Sequence, residues 1–93
     1  METILEKQIN EMSNDELKEI IRRDYIRRLT RYRKTDDFYT KKYNMNFETF
    51  QKENIIEKKN YTFEVESDSE EWELAIDGIN TIEKRLKELT SGN

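Results

Sequence analysis

The sequence predicts a mostly α protein: an antiparallel hairpin of two long helices, with a short helix and an extended aromatic segment between them. Three observations predict it. Proline is absent and glycine occurs only at Gly78 and Gly92, so almost nothing interrupts a helix. Two serine-led capping boxes, "SNDE" at 13–16 and "SDSE" at 67–70, mark helix starts. Beyond each, apolar residues recur at steps of three and four.

Residues 1–12, with Ile4, Leu5, Ile9 and Met12, read as a short, flexible preceding helix. The first long helix follows Ser13. Its Leu17, Ile21, Tyr25, Leu29, Tyr32, Tyr39 and Tyr43 share one face and carry it to about residue 43. Asn44 suits the left-handed turn that ends a helix, and Asn46 can cap a short helix bearing Phe47 and Phe50. "ENIIEKKN" reads as a polar connector around Ile55 and Ile56. "YTFEVES" alternates as an extended segment does, with Tyr61, Phe63 and Val65 on one side. Ser67 then opens the last helix, whose Trp72, Ala75, Ile76, Ile79, Ile82, Leu86 and Leu89 keep a helical period. Residues 1–93 make one small interaction domain.

The bulk composition narrows the function. With 33% hydrophobic and 41% charged residues, the core is thin and stability leans on helix packing or a partner. Cysteine and histidine are both absent. That removes disulfides, thiol nucleophiles, the commonest general base and the commonest transition-metal ligand. A net charge of -4 argues against general nucleic-acid binding. The start, "METILEKQIN", has no apolar run fit for a signal peptide, and no stretch is fit to span a membrane, which points to a cytoplasmic protein. Glycine-rich phosphate loops, Ser/His/Asp constellations and zinc spacings are missing, so the expectation is no enzyme, no cofactor and no metal.

Two charged stretches remain. "RRDYIRRLTRYRK", residues 22–34, holds seven bases and one acid. Arg23, Arg27, Arg31 and Lys34 lie opposite Tyr25, Leu29 and Tyr32. This stripe is a solvated helix face partly neutralised by Asp24 to Arg28 pairing, a surface for an acidic protein, or a grip on phosphate. "EVESDSEEWE" gathers carboxylates around Trp72. They favour a helix start, or they imitate nucleic-acid phosphates in a basic cleft; the spacing and glycine of a calcium loop are lacking.

The succession "YIRRLTRYRK", "FYTKKYNMNFETF" and "YTFEVESDSEEWELAIDGINTIEKRL" resembles a family of small prokaryotic antitoxins from two-gene toxin–antitoxin pairs. In that family a Leu-x-x-Tyr helix runs into Tyr-Gly-Met-x-Phe-x-x-Phe, and an acidic Glu-Trp segment follows. The matching residues are Leu29, Tyr32, Tyr43, Met45, Phe47, Phe50, Glu71 and Trp72, within roughly 17–89, with Asn44 in place of the glycine. The resemblance implies a protein that binds and neutralises a toxin acting on RNA or nucleotides. The expected anchors are Trp72, Phe47, Phe50, Tyr61 and Phe63, with Arg27, Arg31, Glu70 and Glu71 as charged contacts. The alternatives are a nucleic-acid-binding regulator using helix 22–34 and a self-associating homodimer.

Overall fold

Ser13 starts the first long helix as its capping box predicts, its hydroxyl accepting from the Glu16 N–H at 3.1 Å. The structure is a computed structural model, and it describes residues 3–11 and 13–91, with the backbone alone for 8–11. Helix α1 spans Ile4–Glu11, so a short preceding helix is present; the apolar side chains expected at Ile9 and Met12 lie outside the described residues. A third capping box, unsuspected in the sequence, starts it. The Thr3 hydroxyl accepts from the Glu6 N–H at 3.1 Å, and the Glu6 carboxylate accepts from the Thr3 N–H at 3.3 Å.

Helix α2 runs over Asn14–Tyr43, 30 residues, and ends at Asn44, whose φ of 55° and ψ of 40° are left-handed. The Asn46 side chain accepts from the Thr49 N–H at 2.9 Å and starts α3, Phe47–Lys52. Helix α4, Ile55–Lys58, is one turn, and α5 spans Phe63–Ser91, 29 residues. Asn44, Asn54 and Asn60 all hold positive φ, so asparagine does here what glycine usually does at helix ends.

Two expectations need correction. "YTFEVES" is not extended: α5 already begins at Phe63, and the Thr62 hydroxyl accepts from the Val65 N–H at 3.4 Å. The box at Ser67 therefore lies inside a helix and opens nothing. The physical reason is Val65 and Asp68, which continue the inward series of α5 and gain buried contacts only if the helix starts before them.

Helices α2 and α5 pack antiparallel. Tyr43 meets Asp68, Tyr39 meets Glu71, Tyr32 abuts Gly78 and Arg33 reaches Glu83. Along α5 the inward series Val65, Asp68, Trp72, Ala75, Ile79, Ile82, Leu86, Leu89 alternates steps of three and four, the spacing of a left-handed coiled coil. At Gly78 a Cβ would stand 2.5 Å from Tyr32 Cε2, so the Tyr32 ring occupies the space that a side chain at this position would need.

The core sits at one end. Trp72 is 0% exposed and Phe50 1%, and Tyr39, Phe47, Ile55 and Val65 close around them. The Trp72 ring lies 5.1 Å from Phe50, 5.2 Å from Phe47, 5.8 Å from Tyr39 and 5.9 Å from Tyr43. Helices α3 and α4 thus cap one end of the hairpin, and the other stays a two-helix seam. The radius of gyration is 18.5 Å, against about 12 Å for a compact globule of this length.

Candidate protein-binding surface

Burial divides the expected anchors. Trp72, Phe47 and Phe50 fill the core of the free chain, Phe50 reaching the wall of an open cavity and Phe47 that of a neighbouring depression. In a chain so poor in aliphatics, those rings are what make the capped end cohere. Tyr61 and Phe63 are the opposite case, 60% and 86% exposed.

They stand at the corner between α4 and α5. The corner follows a helix-end motif in which the Asn60 N–H donates to the Glu57 carbonyl and the Tyr61 N–H to that of Ile56, both at 2.9 Å. The motif places Asn60 at φ 57°, and Tyr61 follows at φ 53°. Asparagine tolerates that region readily; a tyrosine there is an outlier costing on the order of 1–3 kcal/mol. Beside it lies an open cavity of about 290 Å³ whose wall is half apolar, from Phe50, Ile55, Ile56 and Tyr61, and half polar, from Gln51, Asn54, Glu57 and Ser69 of α5. A neighbouring depression of about 480 Å³ shares Gln51 with it and is lined by Asp36, Glu48, Glu73 and Asp77. Among the described residues no basic side chain lines that depression, and no group of three acids is placed to hold a metal ion.

The charged candidates fall in two places. Arg27 and Arg31 are exposed on α2, and the structure does not bring them to the aromatic corner. Asp24 pairs with Arg28 at 3.0 Å, as expected, and reaches Arg27 only at 3.8 Å. Glu19 pairs with Arg22 and Arg23, whose hydrogen bonds hold its exposed carboxyl at about 2. Arg31 and Lys34 have no ion-pair partner among the described residues. Glu70 is exposed on α5 near the corner; Glu71 accepts from the Tyr39 hydroxyl at 2.7 Å and so is partly engaged in holding the fold.

Sequence reasoning missed the polar frame behind the corner. Asp36 and Asp68 occupy inward positions where a coiled coil would place apolar residues. Asp36 accepts from the Trp72 Nε1–H at 2.8 Å. Asp68 accepts from Lys42 Nζ and from the Tyr43 hydroxyl, both at 2.6 Å, and Lys42 also reaches Glu64 at 2.7 Å. Burial pushes the Asp68 carboxyl up, but the bonds from Lys42 and Tyr43 outweigh it and hold the group below its ordinary value. Burial, and then the bond to Asp68, push the Tyr43 hydroxyl up to about 12. Bonds to Asp68 and Glu64 raise Lys42. Every buried polar side-chain atom among the described residues is satisfied, as a frame that holds the two helices together requires. The signal for it was present: a tryptophan N–H needs an acceptor, and Asp36 was the one acid on the inward face of α2.

What the fold and surface define is a helical hairpin, capped at one end, with an aromatic corner. No family model matches the chain, no curated protein matches it and no solved structure matches it. No helix among the described residues is long and apolar enough to cross a membrane. Of the residues that carry the antitoxin resemblance, Leu29, Tyr32, Tyr43, Met45, Phe47, Phe50 and Trp72 are buried or packed against the seam and core, and Glu71 is exposed.

Proposed function

We propose that the protein acts by binding a partner protein in the cytoplasm, without catalysis of its own, and that the corner of Tyr61 and Phe63 makes the contact. The observation that carries this reading is Phe63, 86% exposed in a chain whose other phenylalanines include two core residues. Burying such a side chain is worth about 1.5–3 kcal/mol, which the free chain forgoes. Tyr61 adds an aromatic surface held in a costly backbone conformation, a pattern that clusters at functional positions. The resemblance to small prokaryotic antitoxins supports a toxin as the partner, one acting on RNA or nucleotides and silenced when its active surface is covered.

The test is a tagged pull-down from the native host with nuclease added, compared with the Phe63→Ser chain. The expected result is one stoichiometric protein, toxic when expressed alone, harmless with this chain, and released by the substitution. Recovery of nucleic acid alone, and only when nuclease is omitted, would replace this reading with binding through Arg27 and Arg31. A stable homodimer in sedimentation, with no second protein captured, would favour self-association instead.

A further inference from the structure

The hairpin is charged in opposite senses along its length. Residues 14–35 and 78–91, which form the uncapped end, carry eleven basic and six acidic side chains; residues 36–77, which form the capped end, carry five and twelve. The aromatic corner therefore belongs to the half with a net charge of -7, although the chain as a whole is only -4. Lys58 and Lys59 precede the corner, and acids outnumber them on the stretch of α5 that follows it. Glu66, Ser69, Glu70 and Glu73 recur at i, i+3, i+4 and i+7 and so share one side of α5, and Ser69 borders the cavity, whose lining also holds Glu57. The three glutamates have no ion-pair partner among the described residues, and Glu73 continues into the carboxylate-lined depression next door.

We infer that the occupant of this corner is a cationic protein surface that seats an aliphatic side chain in the cavity beside Tyr61 and lays lysine or arginine over the glutamates of α5. The inference rests on the partner-binding reading and adds the chemistry and orientation of the partner. The apolar half of the cavity wall alone would accept any hydrophobic side chain. Glu57 in its lining and the glutamates on the adjoining side of α5 disfavour a partner of like charge, while a basic one is steered in and held. The arginine face, some 25 Å away along α2 at about 1.5 Å per residue, repels the same partner, so the hairpin docks capped end first.

The test uses the full chain, labelled with ¹⁵N, and three probes: a helical peptide with leucine on one face and lysine elsewhere, the same peptide with glutamate for lysine, and polylysine. The leucine–lysine peptide is expected to move the amide resonances of residues 55–73 and leave those of 22–34 unmoved. Its affinity should fall at least about tenfold on Phe63→Ser, and about as much for the triple change Glu66→Lys, Glu70→Lys, Glu73→Lys, with Arg27→Glu and Arg31→Glu within about twofold of the parent. Raising salt from 50 to 200 mM on the unaltered chain should weaken it severalfold, a measurement that needs no variant to fold. Binding of the glutamate peptide at the same residues, equal binding of polylysine, or resonance changes confined to 22–34 would each overturn the inference. A captured partner that is released by Phe63→Ser but is indifferent to the triple change keeps the partner reading and ends this one.

Discussion

The two ends of the hairpin are built on different principles. At the capped end four aromatic rings close on Trp72, and two aspartates on the inward face are each matched by a donor. At the other end Leu29 and Ile82 are buried, Tyr32 and Leu86 are half-buried, and the packing described is between α2 and α5. A chain with few aliphatics concentrates cohesion where its rings can meet, and leaves the rest as a narrow zipper. The surface proposed to meet a partner is carried by the firm end.

Removing the centre of that end should have the largest effect. Trp72→Ala deletes the most buried ring and leaves Asp36 without its donor, and should cost about 3–5 kcal/mol, enough to unfold much of a small domain. Leu29→Ala, in the seam of the other end, should cost about 2 kcal/mol. Urea unfolding followed by circular dichroism measures both. Equal losses would mean that cohesion is spread evenly and the contrast between the ends is false.

Gly78 sharpens the comparison at the seam. Alanine is better than glycine in a helix by about 1 kcal/mol, but here its Cβ would meet Tyr32 Cε2 at 2.5 Å and Cζ at 2.8 Å. Gly78→Ala should therefore destabilise by about 1 kcal/mol, and the same change in a Tyr32→Ala background should stabilise by a similar amount. A stabilising effect in the parent would show that the ring moves aside freely and that the seam is looser than it looks.

Much of this architecture was legible. The two long helices, their inward faces, the cap at Ser13 and the turn at Asn44 follow from periodicity and capping chemistry, which are local. The start of α5 was misread because both of its signals are ambiguous over a few residues. Alternation at Tyr61, Phe63 and Val65 suits a strand, and the capping residues at Ser67 suit a helix start, whereas the decision is made by what Val65 and Asp68 touch across the hairpin. The separation of anchors was illegible for the same reason. Phe50 and Phe63 are alike in composition and local pattern, and only the tertiary fold makes one 1% and the other 86% exposed.

Titration tells the ends apart more gently. Asp68 ionises below its ordinary 3.8, so its contribution is complete above about pH 4 and is lost as pH falls further. Tyr43 is raised from 10.0 to about 12, so its contribution is complete below pH 10 and is lost as pH climbs toward 12. Both groups sit at the capped end. Melting temperature against pH should decline on each side of that window, and Asp68→Asn and Tyr43→Phe should flatten the acid and the alkaline limb respectively. An unchanged acid limb in the Asp68 variant would move the acid sensitivity away from the capped end.

The smallest effect on stability is expected where the effect on binding is largest. Phe63 makes little use of its ring in the free chain, and Arg31 has no ion-pair partner among the described residues, so Phe63→Ser and Arg31→Ala should each change stability by no more than about 0.5 kcal/mol. The two then part company in binding. At the aromatic corner the lost ring removes an anchor, whereas Arg31 lies on the half of the hairpin turned away from a cationic partner. Thermal melts beside the captured-partner assay make the separation measurable. A Phe63→Ser chain that melts well below the parent would show that the ring supports the capped end, and its exposure could no longer be taken as a surface kept for another protein.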